Sequence, residues 1–303
     1  MIPVEIFSPF KEFTLPNVAI VTDSVACIPE EMSQALDIHQ VPYYIHRGTE
    51  TLRDLVTIKC DAFYEWLPTA KVLPKTACPG PGDYAQVYES LARDKGVREI
   101  VSLHITSKGS AAYQSAEAAK VMLAESVPDL HLEIVDTLNA SMCQGWMAIQ
   151  AARAALAGKS LAEIVRIVQT MIPVTRMLQT GDTLRYLYLG GRIGRAKHLV
   201  GSLLNIKPLI GIEDGVIVPL GIARSRQKAY ETMVDMVEAA VGPHGKIRIA
   251  YVHAAALEEA QKIRELIEQR LDCVESLFAE LTPALGVHSG PGTAGLCYFP
   301  ILD

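Results

Sequence analysis

Short apolar runs that stop in hydroxyl- or glycine-rich clusters recur through the first half of this chain, each alternating with a helical stretch. Residues 18–21 run into Thr22-Asp23-Ser24, the pattern of a buried strand ending in a loop. Pro29 followed by Glu30 and Glu31 reads as a helix start, with carboxylates facing the positive end of the dipole. Residues 38–45 read as a second strand and 61–67 as a short helix. Pro79-Gly80-Pro81-Gly82 is a rigid loop, and Asp83 can cap a helix running to about Lys95. Residues 100–105 and 132–135 read as strands, and 111–125 and 139–157 as helices, the latter closed by Gly158. Ser160 with Glu163 makes a capping box for a helix that stops before Pro173. Such alternation favours an α/β lobe with a mostly parallel sheet flanked by helices.

Near residue 174 the pattern changes. A strand over 174–178 leads into a short helix over 184–189 and then Gly190-Gly191. Residues 208–212, the Asp214-Gly215 turn and 216–220 read as a β-hairpin. Helices over 226–241 and 256–271 mix with strands over 247–252, 274–278 and 296–301. This half reads as an α+β lobe with a mixed or antiparallel sheet. A chain of 303 residues is long for one core. The expected division is therefore 1–173, with 1–16 as a variable arm, and 174–303.

Bulk properties narrow the function. Half the residues are hydrophobic and 20% are charged, which places the chain among globular proteins. Acidic residues outnumber basic ones, 34 to 28, giving net −6. That balance argues against a nucleic-acid partner. The six cysteines form no C-x-x-C pair and no zinc-spaced cluster, so they read as incidental thiols in a reducing compartment. The N-terminal segment is interrupted by Glu5, Lys11 and Glu12. Without a signal-like start or an apolar run of spanning length, the expectation is a cytoplasmic protein without stable membrane insertion.

Polar chemistry gathers where strands end, the usual ligand side of an open α/β sheet. Three segments stand out: residues 75–82, 105–116 and 287–293. Singly, Thr76 is a turn residue, Ser110 a helix cap and His288 a loop histidine. Together, two hydroxyls and an imidazole can hold a carboxylate without fixed positive charge. A fourth segment, residues 187–194 with Gly190-Gly191-Arg192, lacks the ending of a P-loop. Arg192 reads either as a brace between loops or as an anion contact.

The sequence resembles the DegV family of fatty-acid-binding proteins from about Val18 to its C-terminus. The resemblance rests on Thr22-Asp23-Ser24, Lys75-Thr76 with Pro79, residues 107–116, and Asp136-Thr137 with Asn139-Ala140-Ser141-Met142. It continues through residues 190–194, Asn205-Ile206-Lys207-Pro208 and residues 288–293. It implies two lobes, an acyl chain buried in the first, and presentation of that fatty acid to a separate fatty acid kinase. It places the carboxylate at the interface between the lobes, on Thr76, Ser110 and His288, with Arg192 available to a partner or phosphate. Ala77, Gly80 and Ala112 stand where the family pattern has hydroxyl residues.

A binding role is energetically sufficient. At about 0.8 kcal/mol per methylene, a chain of roughly fifteen offers on the order of 12 kcal/mol before binding costs. Neither a cofactor nor a metal is expected, and no reaction is expected of the chain alone. The alternative is a serine-dependent lipid ester hydrolase using Ser110 and His288. No G-x-S-x-G elbow supports it, and no carboxylate is assignable as a third member.

Overall fold

The computed structural model describes residues 18–199 and 206–301; the expected arm at 1–16 and motif residue Asn205 lie outside them. Val18–Asp23 (β1) is buried along its whole length, as a strand covered on both faces must be. Glu30–Ala35 (α1) follows, entered at Pro29. The stretch expected as one strand over 38–45 is two: Ile38–Val41 (β2) and Tyr44–Arg47 (β3), broken at Pro42. Proline cannot donate to a ladder, so the chain changes sheets there. β3 pairs antiparallel with Glu50–Arg53 (β4) and, after helix Cys60–Trp66 (α2), with Lys75–Ala77 (β5). This small third sheet was not expected, and it turns the Thr76 segment from loop into strand.

Pro81–Asp94 (α3) starts at Gly80, so Asp83 sits inside its first turn; its carboxylate accepts the Gly80 N–H at 2.7 Å. Glu99–His104 (β6), Ala112–Leu123 (α4), His131–Asp136 (β7), Met142–Leu156 (α5) and Leu161–Met171 (α6) complete this half. Its main sheet runs β2-β1-β6-β7, all parallel. The capping box at Ser160 and Glu163 forms as expected.

The second half opens with Arg176–Thr180 (β8) and Arg185–Leu189 (α7). The hairpin is Lys207–Glu213 (β9) and Val216–Ala223 (β10), turning through Asp214 and Gly215, both at positive φ. Arg226–Val241 (α8), Lys246–His253 (β11), Leu257–Glu268 (α9), Asp272–Glu280 (β12), Pro283–Ser289 (α10) and Ala294–Pro300 (β13) follow. The sheet order is β10-β9-β8-β13-β11-β12, antiparallel except for β11 with β12. The mixed sheet matches the expected α+β character. The short helix α10 was missed, so His288 is helical rather than in a loop.

One helix joins the two sheets. α5 is buried nearly all round, which its Ala-rich sequence permits by keeping neighbours close. Trp146 on it has no exposed surface, packs edge-on against Phe299 at 5.7 Å, and donates Nε1–H to the Cys297 carbonyl at 3.2 Å. Both partners lie on β13, so the main hydrophobic core is continuous between the halves. Trp146→Ala is expected to lower unfolding free energy by ~3–5 kcal/mol, the usual cost of deleting a buried aromatic side chain. Chemical denaturation checks this; a loss below 1 kcal/mol would mean that the helix is not a shared core element.

Candidate functional site

The site is assembled from the carboxyl ends of β1 and β6, the small sheet, and helix α10. Two buried carboxylates hold these pieces. Asp23 ends β1: its Oδ1 accepts Tyr84 O–H at 2.5 Å and pairs with His104 Nδ1 at 2.9 Å, and its Oδ2 accepts the Ile105 N–H at 3.0 Å. His104 Nε2 lies 2.8 Å from Ser102 Oγ, which in turn accepts from Tyr88 O–H at 2.7 Å. The connectivity is that of a Ser–His–Asp chain. Ser102, His104 and Asp23 have no exposed surface, so the chain is sealed from substrate and serves to fix the loop after β6.

Asp54 is the second carboxylate. Its Oδ2 accepts Ser24 O–H at 2.6 Å, and its Oδ1 accepts the Ala284 N–H at 3.0 Å, at the start of α10. Ser24 Oγ accepts the Tyr43 N–H at 3.1 Å. Burial raises the Asp54 carboxyl to about 6, against the lowering pull of the hydrogen bonds it accepts.

These supports converge on a cavity of about 500 Å³, within the usual range for small-molecule sites. Thr76, Ser110, His288 and Arg192 all line it, so the structure brings the four sequence-selected residues together. Thr76 lies mid-strand in β5, paired with Ile45 of β3. Ser110 lies just before α4; it is not the cap expected of it, since Ala111 occupies that position. Its Oγ instead lies 2.6 Å from Tyr43 O–H and 3.4 Å from the Ala112 N–H. His288 Nε2 lies 2.8 Å from Thr76 Oγ1, while Nδ1 is buried without a partner among the described residues. A Cβ at Gly190 would overlap this ring, which is why the chain passes there without a side chain. Burial, then the Arg192 charge, lowers the His288 imidazole to about 4, so it is neutral near pH 7.

A neutral imidazole has one proton. Placed on Nε2, it donates to Thr76 and leaves a bare lone pair at Nδ1; placed on Nδ1, it leaves an orphaned buried N–H, the rarer defect. The first tautomer frees the Thr76 O–H to point into the cavity. Arg192 is exposed and donates Nη1–H to the Gly190 carbonyl at 2.7 Å, so it braces its loop while its charge reaches the cavity.

Aliphatic lining residues come from both halves: Val25 and Ile105 from the first, Ile212, Ile217 and Leu285 from the second. The resemblance implies an acyl chain buried in the first lobe with its carboxylate at the lobe interface, and this lining draws on both halves. The β9–β10 turn forms a lid edge: Thr106 O–H donates to the Gly215 carbonyl at 2.9 Å, and Lys108 Nζ to the Asp214 carbonyl at 2.6 Å. Among the described residues, no acidic side chain lines the cavity. Tyr43 and Lys108 were missed: a tyrosine between Pro42 and Tyr44 and a loop lysine carry no local signal of a distant partner.

Asp54 and His288 make opposite contributions to the pH dependence of stability. The raised Asp54 favours the native state most below the ordinary carboxylate range, and that contribution is lost as pH rises to about 6. The depressed His288 favours the native state most above its ordinary range, and that contribution is lost as pH falls to about 4. Relative to the parent, Asp54→Asn should gain stability as pH rises from 4 to 6, whatever its absolute loss. His288→Gln should gain as pH falls over the same window. Each slope is at most about 1.4 kcal/mol per pH unit. Urea unfolding between pH 4 and 7 reads both, and parallel curves for parent and variants would contradict the assigned ionisation states.

Comparison with known proteins places this geometry. The sequence profile described as "Uncharacterised protein, DegV family" matches residues 17–301. Protein DegV of Bacillus subtilis is 32% identical over 283 residues, covering 93% of this chain and 99% of its own length. A DegV family protein from Thermus thermophilus, described by its fatty acid binding, superposes with a TM-score of 0.87 at 28% identity, over 94% of this chain and 99% of its own. A stearic acid-binding protein from Eubacterium ventriosum superposes with a TM-score of 0.83 at 25% identity, over 93% of this chain and 98% of its own. With a match of this extent and an α/β architecture shared throughout, this chain belongs to the DegV family.

Proposed function

We propose that this chain binds a long-chain fatty acid, with its carboxylate at Thr76 and Ser110 and with His288 orienting the Thr76 hydroxyl toward it, and presents it to a separate fatty acid kinase in the cytoplasm. The observation that carries the reading is the composition of one cavity. Its lining gathers two hydroxyls and a neutral imidazole with the exposed cations Arg192 and Lys108 and several aliphatic side chains, and no acidic side chain among the described residues. A carboxylate only accepts hydrogen bonds, so an end rich in donors and free of acids suits it. The fatty-acid ligands described for the Thermus thermophilus and Eubacterium ventriosum relatives support the same class of ligand.

The hydrolase alternative fares poorly. A serine nucleophile needs a base within hydrogen-bond reach. Ser110 Oγ is engaged by Tyr43, and His288 Nε2 lies against Thr76. The sealed Ser102–His104–Asp23 chain offers substrate no approach.

In the proposed kinase step, a carboxylate oxygen attacks the γ-phosphorus of ATP. The new C–O–P linkage forms as the bond to ADP breaks, giving an acyl phosphate. Neutral donors orient the head group while leaving it anionic, and Arg192 is placed to balance the arriving phosphate.

Mass spectrometry of lipid extracted from freshly purified protein should find a fatty acid in near-stoichiometric amount; its absence, with no binding of added fatty acid, would overturn the reading. Thr76→Val and Ser110→Ala should each weaken binding by ~1–3 kcal/mol, the cost of a hydrogen bond to a charged group. Isothermal titration checks this, and unchanged affinity in both would displace the carboxylate from this end of the cavity. With a compatible kinase and ATP, Arg192→Ala should slow acyl phosphate formation while leaving fatty-acid affinity within about twofold of the parent. Equal turnover would remove Arg192 from the transfer step.

A further inference from the structure

Ser110 is the donor most exposed to ambiguity, because a hydroxyl can turn its single proton either way. Its partner settles the direction. Tyr43 is 5% exposed, and its O–H has Ser110 Oγ, at 2.6 Å, as its one acceptor among the described residues. The phenol has a single proton to place. If Ser110 donated to Tyr43, the proton of the more buried of the two residues would have only the cavity to turn to. Donation from Tyr43 to Ser110 pairs that proton and leaves the less buried hydroxyl, Ser110, to face the cavity. Ser110 Oγ then accepts from Tyr43 O–H and, at 3.4 Å, from the Ala112 N–H. Both its lone pairs are occupied, and its own proton has no acceptor among the described residues except toward the cavity.

The position of Tyr43 is itself fixed at both backbone groups. Its N–H donates to Ser24 Oγ at 3.1 Å, and its carbonyl accepts the Asp54 N–H at 2.8 Å. Pro42 before it restricts the approach of the chain. The ring is therefore held to Ser110 from a rigid anchor rather than from a mobile loop.

We infer that Tyr43 is a positioning residue that acts through Ser110, donating to its hydroxyl and thereby committing the Ser110 proton to an anionic head group in the cavity. The inference rests on the fatty-acid reading above and assigns a residue which that reading leaves idle. A competing arrangement has Tyr43, which also lines the cavity, donate to the ligand itself. The two differ in how Tyr43 and Ser110 couple.

The test is a double-mutant cycle on Tyr43→Phe and Ser110→Ala, read by titration with palmitoleate and with its methyl ester. In the relay, Tyr43→Phe weakens palmitoleate binding about 3- to 10-fold in the Ser110 parent, and less than twofold when Ser110 is already alanine. Methyl palmitoleate, which carries no anionic head group, should bind Tyr43→Phe and parent alike. Equal losses from Tyr43→Phe in both backgrounds would make Tyr43 a direct ligand contact and overturn the relay. Equal losses for the acid and the ester would make its role purely structural, also overturning it. Melting temperature is recorded for each variant, and Tyr43→Phe, which keeps the ring, isolates the hydroxyl. A parent that binds neither ligand would overturn the fatty-acid reading itself, an outcome distinct from a parent that binds while Tyr43→Phe has no effect.

Discussion

Asp54 has no exposed surface, and its two oxygens hold parts of the chain that lie at opposite ends of the sequence. One receives Ser24 at the end of β1; the other receives the first turn of α10 through Ala284. Ser24 passes the connection to the backbone of Tyr43, where the small sheet begins. Every residue of the polar end is one step away. Thr76 is paired across β3, Ser110 is met by the Tyr43 hydroxyl, and His288 rides on α10. A buried carboxylate costs desolvation free energy, visible in its raised pKa, and its donors offset part of that cost. Networks of this kind are unforgiving, because losing one member strands the others without partners. The fold thus spends a destabilising group where three elements must meet in one geometry.

Asp23 does the same on the sheet side. It closes β1 onto the loop after β6 through Ile105, with Tyr84, His104 and Gln144 completing its shell. Asp136 holds the next part of that loop at the Ser107 N–H. The segment leading to Ser110 is therefore fixed from two strand ends, the arrangement that lets a parallel sheet present a loop rigidly at its carboxyl edge.

The strands β1 and β6 were legible because both their faces are buried and their sequences are largely apolar, and the edge strand β7 because Leu132, Ile134 and Val135 stand between polar residues. The hairpin was legible because Asp214 and Gly215 adopt the positive φ that an Asp-Gly turn supplies. The small sheet was not: β5 has three residues, too few for any periodicity, and its partner β3 was merged with β2 across Pro42. Helix α10 is seven residues long and begins at Pro283, with glycine inside it, so local propensity argued for a loop. At the site, Thr76, Ser110 and His288 were reachable through motif resemblance. Tyr43 and Asp54 were not, since their roles arise from contacts set by tertiary packing, which no spacing within the chain records.

The electrostatic character of the cavity follows from these same constraints. His288 is packed against Gly190 and Thr76, so burial keeps it neutral, and the nearby cations Arg192 and Lys108 are exposed to solvent. An anion at the polar end would meet aligned dipoles rather than a buried counter-charge. Dipolar donors stabilise an anion without neutralising it, and they need little reorganisation when its charge later moves. A buried arginine in their place would bind the carboxylate more strongly and lower its reactivity toward an electrophile. Under the proposed function, the apolar lining would supply affinity and the dipolar donors orientation, a division of work that would hold the tail and leave the head available.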